Sequence, residues 1–355
     1  MSEHKYPYHW YLKDGYPAKG IEKHGLKVFG TFICGGGSTM GYKLAGYEHL
    51  GGVEIDPKIS AVYKLNNNPK YLFTEDIRQF NKRTDLPDEL FNLDILDGSP
   101  PCSTFSMAGS REKAWGKEKQ FREGQSVQTL DDLVFIYCDT IIKLQPKAFI
   151  LENVKGIIQG NAKVYSKKIV QKMTAAGYVV QVFCLNAASM GVPQKRERVF
   201  FIGYKKELNF PKLKMDFDEK PILFSEYRNN SSIIIDKQDT VKASLWYKVQ
   251  KGSCFSKYHK TGSFFNDFKL SENDICPTLT ADPSHGPWDY ELCRMLDSKE
   301  LIQVGSYPLD YNFEQIEPKY LIGMSVPPVM TAQIAHQIYL QWFEKTAKNQ
   351  RNAKS

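Results

Sequence analysis

The sequence has little of what marks several large classes of protein. Its seven cysteines, Cys34, Cys102, Cys138, Cys184, Cys254, Cys276 and Cys293, are odd in number and form no C-x-x-C pair. That excludes a disulfide framework or a zinc cluster as the organising device and points to a reducing cytoplasm. No stretch approaches the roughly 18 apolar residues of a membrane span. The opening MSEHKYPYHWYLKDG has no apolar core of the signal-peptide kind, so neither membrane nor export is expected. Internal repeats and long low-complexity runs are missing too. Neither charge sign dominates: 47 Lys and Arg face 40 Asp and Glu, a formal net charge of +7. That excess permits a nucleic-acid partner without requiring one.

What is present is enough apolar residue, 42% of 355, for one large domain or two. The first 25 residues are aromatic and basic, with Tyr6, Tyr8, Trp10, Tyr11 and Tyr16, and read as an arm packed on a neighbouring surface or as a binding strip. From Leu26 strands and helices alternate. LKVFGTFIC is a buried strand, followed by a glycine turn and the helical MGYKLAG; HLGGVEI is a second strand, with a helix near 58–66 and a short strand near 71–74. FNLDILDGS, AFILENV, residues 178–184 and VFFIGY supply further strands, with helices over 130–144 and 163–176. The alternation predicts an α/β fold, an open and mostly parallel sheet with helices on both faces. Residues 107–129 have no hydrophobic period but contain Gly109, Gly116 and Gly124, as a long functional loop would. After Lys205 the texture changes to Pro, Asn, Ser, Lys and aromatics, the mark of a smaller, irregular domain. A final amphipathic helix spans 329–343. The expected division is 1–204 with 318–355 for the first domain, and 205–317 for the second domain with its hinge.

Chemistry collects at the strand ends. Cys34-Gly35-Gly36-Gly37 follows strand one, where a glycine turn lets the backbone approach a nucleotide-like cofactor. No Gly-Lys-Ser/Thr follows, so it is not a P-loop, and alone it is equally a plain tight turn. Glu54 ends strand two, placed for ribose hydroxyls, and Asp76 ends strand three, placed for an adenine amino group. Acids at both places fit an adenosine without phosphates; each taken singly is equally a helix cap or a solvated turn. Cys102 follows two prolines at the end of strand four, and Glu152-Asn153 ends strand five on the same edge. A thiolate and a carboxyl group facing one cleft suit nucleophilic addition assisted by proton donation. An isolated Pro-Pro-Cys is equally a buried turn. Gln194-Lys195-Arg196-Glu197-Arg198 adds two guanidinium groups suited to phosphate or a carbonyl oxygen, or is a solvated basic loop.

Together these segments resemble the cytosine-5 DNA methyltransferases of bacteria and phages. Ser-Pro-Pro-Cys-Ser-Thr-Phe-Ser (99–106) resembles the family's catalytic loop, and Glu152-Asn153-Val154 its E-N-V motif. LNAASMGVPQKRERVFFIG (185–203) is close to its Q-x-R-x-R signature. CPTLTA (276–281) and RMLDSKE (294–300) resemble the domain junction, and IGMSVPP (322–328) the G-N-S-V-P segment. The blocks run in family order from about residue 27 to the final helix. Two positions depart from the pattern: Cys34 stands where the first glycine of F-x-G-x-G-G is usual, and Met324 where Asn is usual in G-N-S-V.

The resemblance implies an S-adenosylmethionine-dependent Rossmann-like fold and a smaller target-recognition domain. It implies S-adenosyl-L-methionine as methyl donor, no metal, and a cofactor site of Phe32, Gly35, Gly36, Gly37, Glu54, Ile55, Asp76, Ile77, Pro100, Leu133, Ser325 and Val326. Cys102 would add to carbon 6 of a flipped cytosine. Glu152, protonated when productive, would bond ring nitrogen 3; Arg198 would hold the carbonyl oxygen, with Arg196 organising the site. The loop's Lys113, Lys117, Lys119 and Arg122 would meet phosphates as it closes. Arg228, Lys242, Lys248, Lys251, Lys257, Lys260, Trp246, Tyr247 and Tyr258 would contact double-stranded DNA. A restriction endonuclease acting separately is the implied companion, and the chain is expected to act as a monomer. An RNA cytosine-5 methyltransferase is the alternative. A nicotinamide-dependent oxidoreductase shares the glycine turn but gives Pro-Pro-Cys, Glu-Asn-Val and Gln-x-Arg-x-Arg no role. A catalytically silent DNA-binding protein has no use for Cys102 and Glu152, but the departures at Cys34 and Met324 keep that reading open.

Overall fold

The computed structural model describes residues 4–101, 133–229 and 241–344. They fall into two compact units. The larger holds residues 16–185, 197–216 and those from 332 onward; the smaller holds those up to 15, 186–196 and 217–331.

The larger unit is built on a seven-stranded sheet. Its strands are β1 (Lys27–Thr31), β2 (Glu48–Glu54), β3 (Tyr71–Thr74), β4 (Ile95–Gly98), β5 (Ala148–Val154), β6 (Tyr178–Asn186) and β8 (Glu197–Lys205), ordered β3-β2-β1-β4-β5-β8-β6. Pairings among β1 to β5 are parallel, and β8 runs antiparallel to β5 from Ala148↔Tyr204 to Val154↔Arg198. Helices α3 (Ile77–Lys82), α4 (Leu133–Leu144) and α5 (Lys163–Ala175) cover one face. Phe80, Tyr137, Ile141 and Met173 pack there against Phe29, Leu96, Phe149 and Phe201. Helices α1 (Gly37–Leu44) and α2 (Pro57–Asn67) meet each other through Thr39 and Tyr63, and Tyr42 of α1 reaches Asp97 on β4. Successive strand residues point to opposite faces, so Leu96 belongs to the α4 side and Asp97 to the α1 side.

Local chemistry sets the boundaries. Asp56 caps α2 by accepting from the Lys58 and Ile59 amides, Pro57 opens it without losing a needed donor, and Asn68 ends it at φ 44°. β1 stops at Thr31, short of the strand expected through Cys34, because Phe32 and Cys34 turn left-handed at φ 55° and 48°. The last helix is α-helical only over Pro328–Ile338 and widens to a π-helical turn at Tyr339–Phe343. The expected loop at 107–129 lies outside the described residues. Among the described residues, no helix is long and apolar enough to cross a membrane.

The smaller unit has little regular structure. β7 (Gln194–Lys195) pairs in parallel with Cys276–Pro277, and three two-residue strands form a second sheet. Trp246, Phe255, Trp288 and Cys293 are at its core. Arg294 is buried against Glu300 at 2.6 Å and Asp289 at 2.9 Å. The chain up to Gly15 packs within this unit: Trp10 Nε1 donates to the Ser306 carbonyl, and the Leu12 and Lys13 amides donate to Asp310.

Candidate active site

The topology brings two of the predicted segments together. From β1 the chain winds outward through β2 and β3, then returns to place β4 and β5 on the other side of β1. The loops after β1 and β4 therefore diverge from neighbouring strand ends. Such a switch point is where an open parallel sheet leaves a crevice for ligands. The glycine turn follows β1, and the Pro100-Pro101 turn follows β4.

The glycine turn is shaped for close approach. Gly36 caps α1 at φ 84°, and a Cβ there would lie 2.5 Å from the Asn67 amide nitrogen, so both conformation and space require glycine. The Cys34 amide donates to Glu54 Oε2 at 2.9 Å, and the Asp56 amide donates to Oε1 at 3.0 Å. Glu54 thus ties the turn after β1 to the end of β2. It is buried, and burial pushes its carboxyl above the ordinary value, with the backbone donors pulling the other way. Among the described residues no cation is paired with it. A buried acceptor beside a glycine cradle fits the hydroxyls of a ribose, so the donor set suits an adenosine-bearing group. Phe32 and Ile55 are half-buried near the same strand ends, and Gly35 and Gly37 are buried.

Asp76 has a local duty as well. It caps α3, accepting from the Arg78 amide at 2.7 Å and pairing with the Arg78 guanidinium at 3.1 Å. Ile77 opens that helix and is buried, and Leu133 opens α4 inside the core.

The Pro100 turn is fixed from β5. Pro100 is buried, and the Asn153 Nδ2 donates to its carbonyl at 3.4 Å while the Asn153 Oδ1 accepts from the Val154 amide at 2.9 Å. Cys102 lies outside the described residues. One residue before Asn153, Glu152 meets Arg198 Nε at 3.0 Å, with side chains 11% and 14% exposed. Two residues apart in the antiparallel ladder, they share a face of the sheet. Burial pushes the Arg198 guanidinium below its ordinary value and Glu152 opposes that, leaving a cation. Behind them Asp97 accepts from the Tyr42 hydroxyl at 3.1 Å. Asn153 and Asp97 stand beside these groups without a role from motif reading, although Asn153 lies inside the quoted Glu-Asn-Val.

The remaining predicted residues belong to the smaller unit. Arg196 is buried there and donates to the carbonyls of Leu279 at 3.1 Å and Gly323 at 3.0 Å, joining CPTLTA to IGMSVPP. Its guanidinium also donates to Gln194 Oε1 at 3.4 Å. Ser325 Oγ donates to the Leu321 carbonyl and accepts from Tyr307, Val326 is buried, and Met324 is 38% exposed. Three residues expected to face DNA are held inward instead, Lys242 by the wholly buried Asp267 at 3.2 Å. Arg228 pairs with the wholly buried Asp289 at 2.9 Å, and Trp246 is buried under the Lys269 ammonium. A cation on this unit must satisfy its buried carboxylates, and the large indole fills its small core. Tyr247, Lys248, Lys251, Lys257 and Lys260 are exposed.

The C-5 cytosine-specific DNA methylase family model matches residues 26–340. Type II methyltransferase M.NgoPII of Neisseria gonorrhoeae is 28% identical, covering 88% of this chain and 95% of that protein. Type II methyltransferase M.FnuDI of Fusobacterium nucleatum is 30% identical, covering 70% of this chain and 67% of that one. Among solved structures, Spodoptera frugiperda DNMT2 matches with a TM-score of 0.62 at 17% identity over 89% of this chain and 100% of that one, a likeness of fold.

Proposed function

The chain belongs to the C-5 cytosine-specific DNA methylase family, and from that premise we propose a sequence-specific mechanism. A target cytosine is flipped out of duplex DNA, Cys102 adds to ring carbon 6, and carbon 5 receives the methyl group. The observation that carries the reading is the Glu152–Arg198 pair, 3.0 Å apart between β5 and β8, with Glu152 on the strand whose Asn153 fastens the Pro100 turn. It places a carboxyl group and a guanidinium beside the turn that leads to the thiol.

S-adenosyl-L-methionine, the methyl donor of this family, supplies an electrophilic methyl group when bound. Glu54 would hold its ribose, Gly35, Gly36 and Gly37 would admit it, and Phe32 and Ile55 would pack on its adenine. Asp76 has an acceptor position left for the adenine amino group, beside the main chain of Ile77. Pro100, Leu133, Ser325 and Val326 complete the proposed set.

Carbon 5 of cytosine is a weak nucleophile. The Cys102 thiolate forms a bond to carbon 6 while Glu152 gives a proton to nitrogen 3, and Arg198 binds the neighbouring carbonyl oxygen. The ring is then an enamine, with its electron pair available at carbon 5. Once carbon 5 is methylated, nitrogen 3 returns its proton to Glu152, the carbon 5 proton passes to water, the sulfur–carbon bond breaks and the thiolate is restored. A stacked base cannot reach Cys102, hence the flip.

Residues 205–317 are assigned to target recognition and 1–204 with 318–355 to catalysis. The relatives' Type II names support a separately acting restriction endonuclease as companion. The chain is taken to work as a cytoplasmic monomer. The test is methyl-labelled donor with the purified full chain, duplex DNA in one arm and transfer RNA in the other. Label in deoxycytidine of the duplex, lost in Cys102→Ala although that variant still binds DNA, is the expected result. Label confined to transfer RNA, or turnover by Cys102→Ala, overturns it.

A further inference from the structure

The smaller unit contains a polar constellation that the proposed chemistry does not use. Asp267 is wholly buried and receives four donors: the Gly286 amide at 3.2 Å, Trp288 Nε1 at 3.0 Å, Lys242 Nζ at 3.2 Å and His285 Nδ1 at 2.5 Å. A carboxylate oxygen and a ring nitrogen at that last separation attract only with a proton between them, so Nδ1 carries the hydrogen. Lys242 Nζ lies 3.1 Å from the same nitrogen, but an ammonium accepts nothing; its own hydrogens go to Asp267 and the Ser284 carbonyl. In the neutral imidazole that hydrogen fixes one tautomer, with the lone pair on Nε2. The His285 side chain is 29% exposed, and among the described residues Nε2 has no hydrogen-bond partner.

The rim around His285 suits a nucleic acid. Phe264, left-handed at φ 68°, lies between His259 at 4.9 Å and His285 at 6.1 Å. That backbone turn leaves the next ring, Phe265, 61% exposed. Lys257, Lys260, Thr261 and Ser263 are exposed on the same loop, giving cations and hydroxyls for phosphates around an acceptor nitrogen and an apolar ring.

Resting on the reading of this chain as a DNA methyltransferase, we propose that His285 reads one base of the target sequence by accepting a hydrogen bond at Nε2 from an exocyclic amino group. In the major groove only adenine N6 and cytosine N4 offer one; guanine and thymine present acceptors there. Asp267 is a positioning residue that sets the tautomer, and Lys242 balances its charge.

The experiment expresses the full chain and its His285→Ala and His285→Arg variants in a methylation-free bacterial host. Converted-cytosine sequencing of host DNA then reads the context of every protected cytosine, and thermal melting of each purified variant confirms folding. The wild type is expected to accept only adenine or cytosine at one position of its site. His285→Ala is expected to lose roughly 10- to 100-fold of that discrimination while still methylating the original sites. His285→Arg is expected to move the preference toward guanine, whose O6 and N7 accept from a guanidinium. An unchanged context in folded His285→Ala overturns the proposal, as does equal loss of methylation at every sequence. If the wild type protects no cytosine, the underlying reading fails instead, an outcome visible before any variant is compared.

Discussion

Asp97 makes the pH dependence of stability a direct test of the site's construction. Its carboxyl lies beneath α1, and burial pushes it up to about 7 from an ordinary 3.8, with Glu152 adding to the rise and hydrogen bonds from Tyr42 and Ser38 opposing it. A folded value above the unfolded one means the native state holds the proton more tightly. The stabilisation from that proton is complete below pH 3.8 and is lost as pH rises through about 7. Between pH 4.5 and 6.5 the folded chain keeps close to one proton more at this site than the unfolded chain. Its contribution therefore falls by about 1.3 kcal/mol per pH unit, roughly 4 kcal/mol in all. Asp97→Asn keeps an acceptor for the Tyr42 hydroxyl but cannot ionise. Urea unfolding of both proteins at pH 4.5, 5.5, 6.5 and 7.5 isolates the term, because other groups cancel in the difference. The variant should match or trail the wild type at the acid end and gain on it steadily toward neutrality. A difference that stays constant over that range refutes the buried, protonated Asp97.

Three further perturbations probe the same strand ends. Cys34→Gly relieves a side chain held at φ 48° and should stabilise the protein by about 0.5–1 kcal/mol after the entropy of the added glycine is counted, read as a higher melting temperature; a lower one contradicts the strain. Asn153→Ala removes the bond to Pro100 and should cost about 1–2 kcal/mol in denaturant unfolding. Its kcat should fall while donor affinity by calorimetry is kept; equal loss of both would make Asn153 a general structural residue. Arg198→Ala leaves Glu152 buried without its cation, so it should lose roughly 2–4 kcal/mol of stability together with methyl transfer. Arg198→Lys should restore more of the stability than of the transfer, because the ammonium lacks the planar fork.

The sheet was legible because buried strands and helices carry long apolar runs. AFILENV coincides with β5, and the strand near 71–74 with β3. The alternation of strand and helix announced the parallel order, and that order alone places the glycine turn beside the Pro-Pro turn. Backbone exceptions were not legible: nothing in GTFIC signals that Phe32 and Cys34 turn left-handed and end β1 early. α3 spans six residues, too few for a period, and its only mark is the capping Asp76. The smaller unit is opaque for the same reason, since strands of two residues have no alternation to read. Arg228 and Trp246 looked like DNA contacts because charge and aromaticity are visible in sequence, whereas the buried Asp289 that claims Arg228 is distant in the chain. Asp267 and His285 are likewise separate in sequence, and only the fold sets them 2.5 Å apart.

The most direct test of the central claim is the methylation state of DNA from a methylation-free bacterial host expressing the wild-type chain beside Cys102→Ala. The account predicts cytosines protected from bisulfite conversion in one short sequence context with the wild type, and none with the variant. Soluble wild-type protein with no protected cytosine, or the same protection from Cys102→Ala, would contradict it.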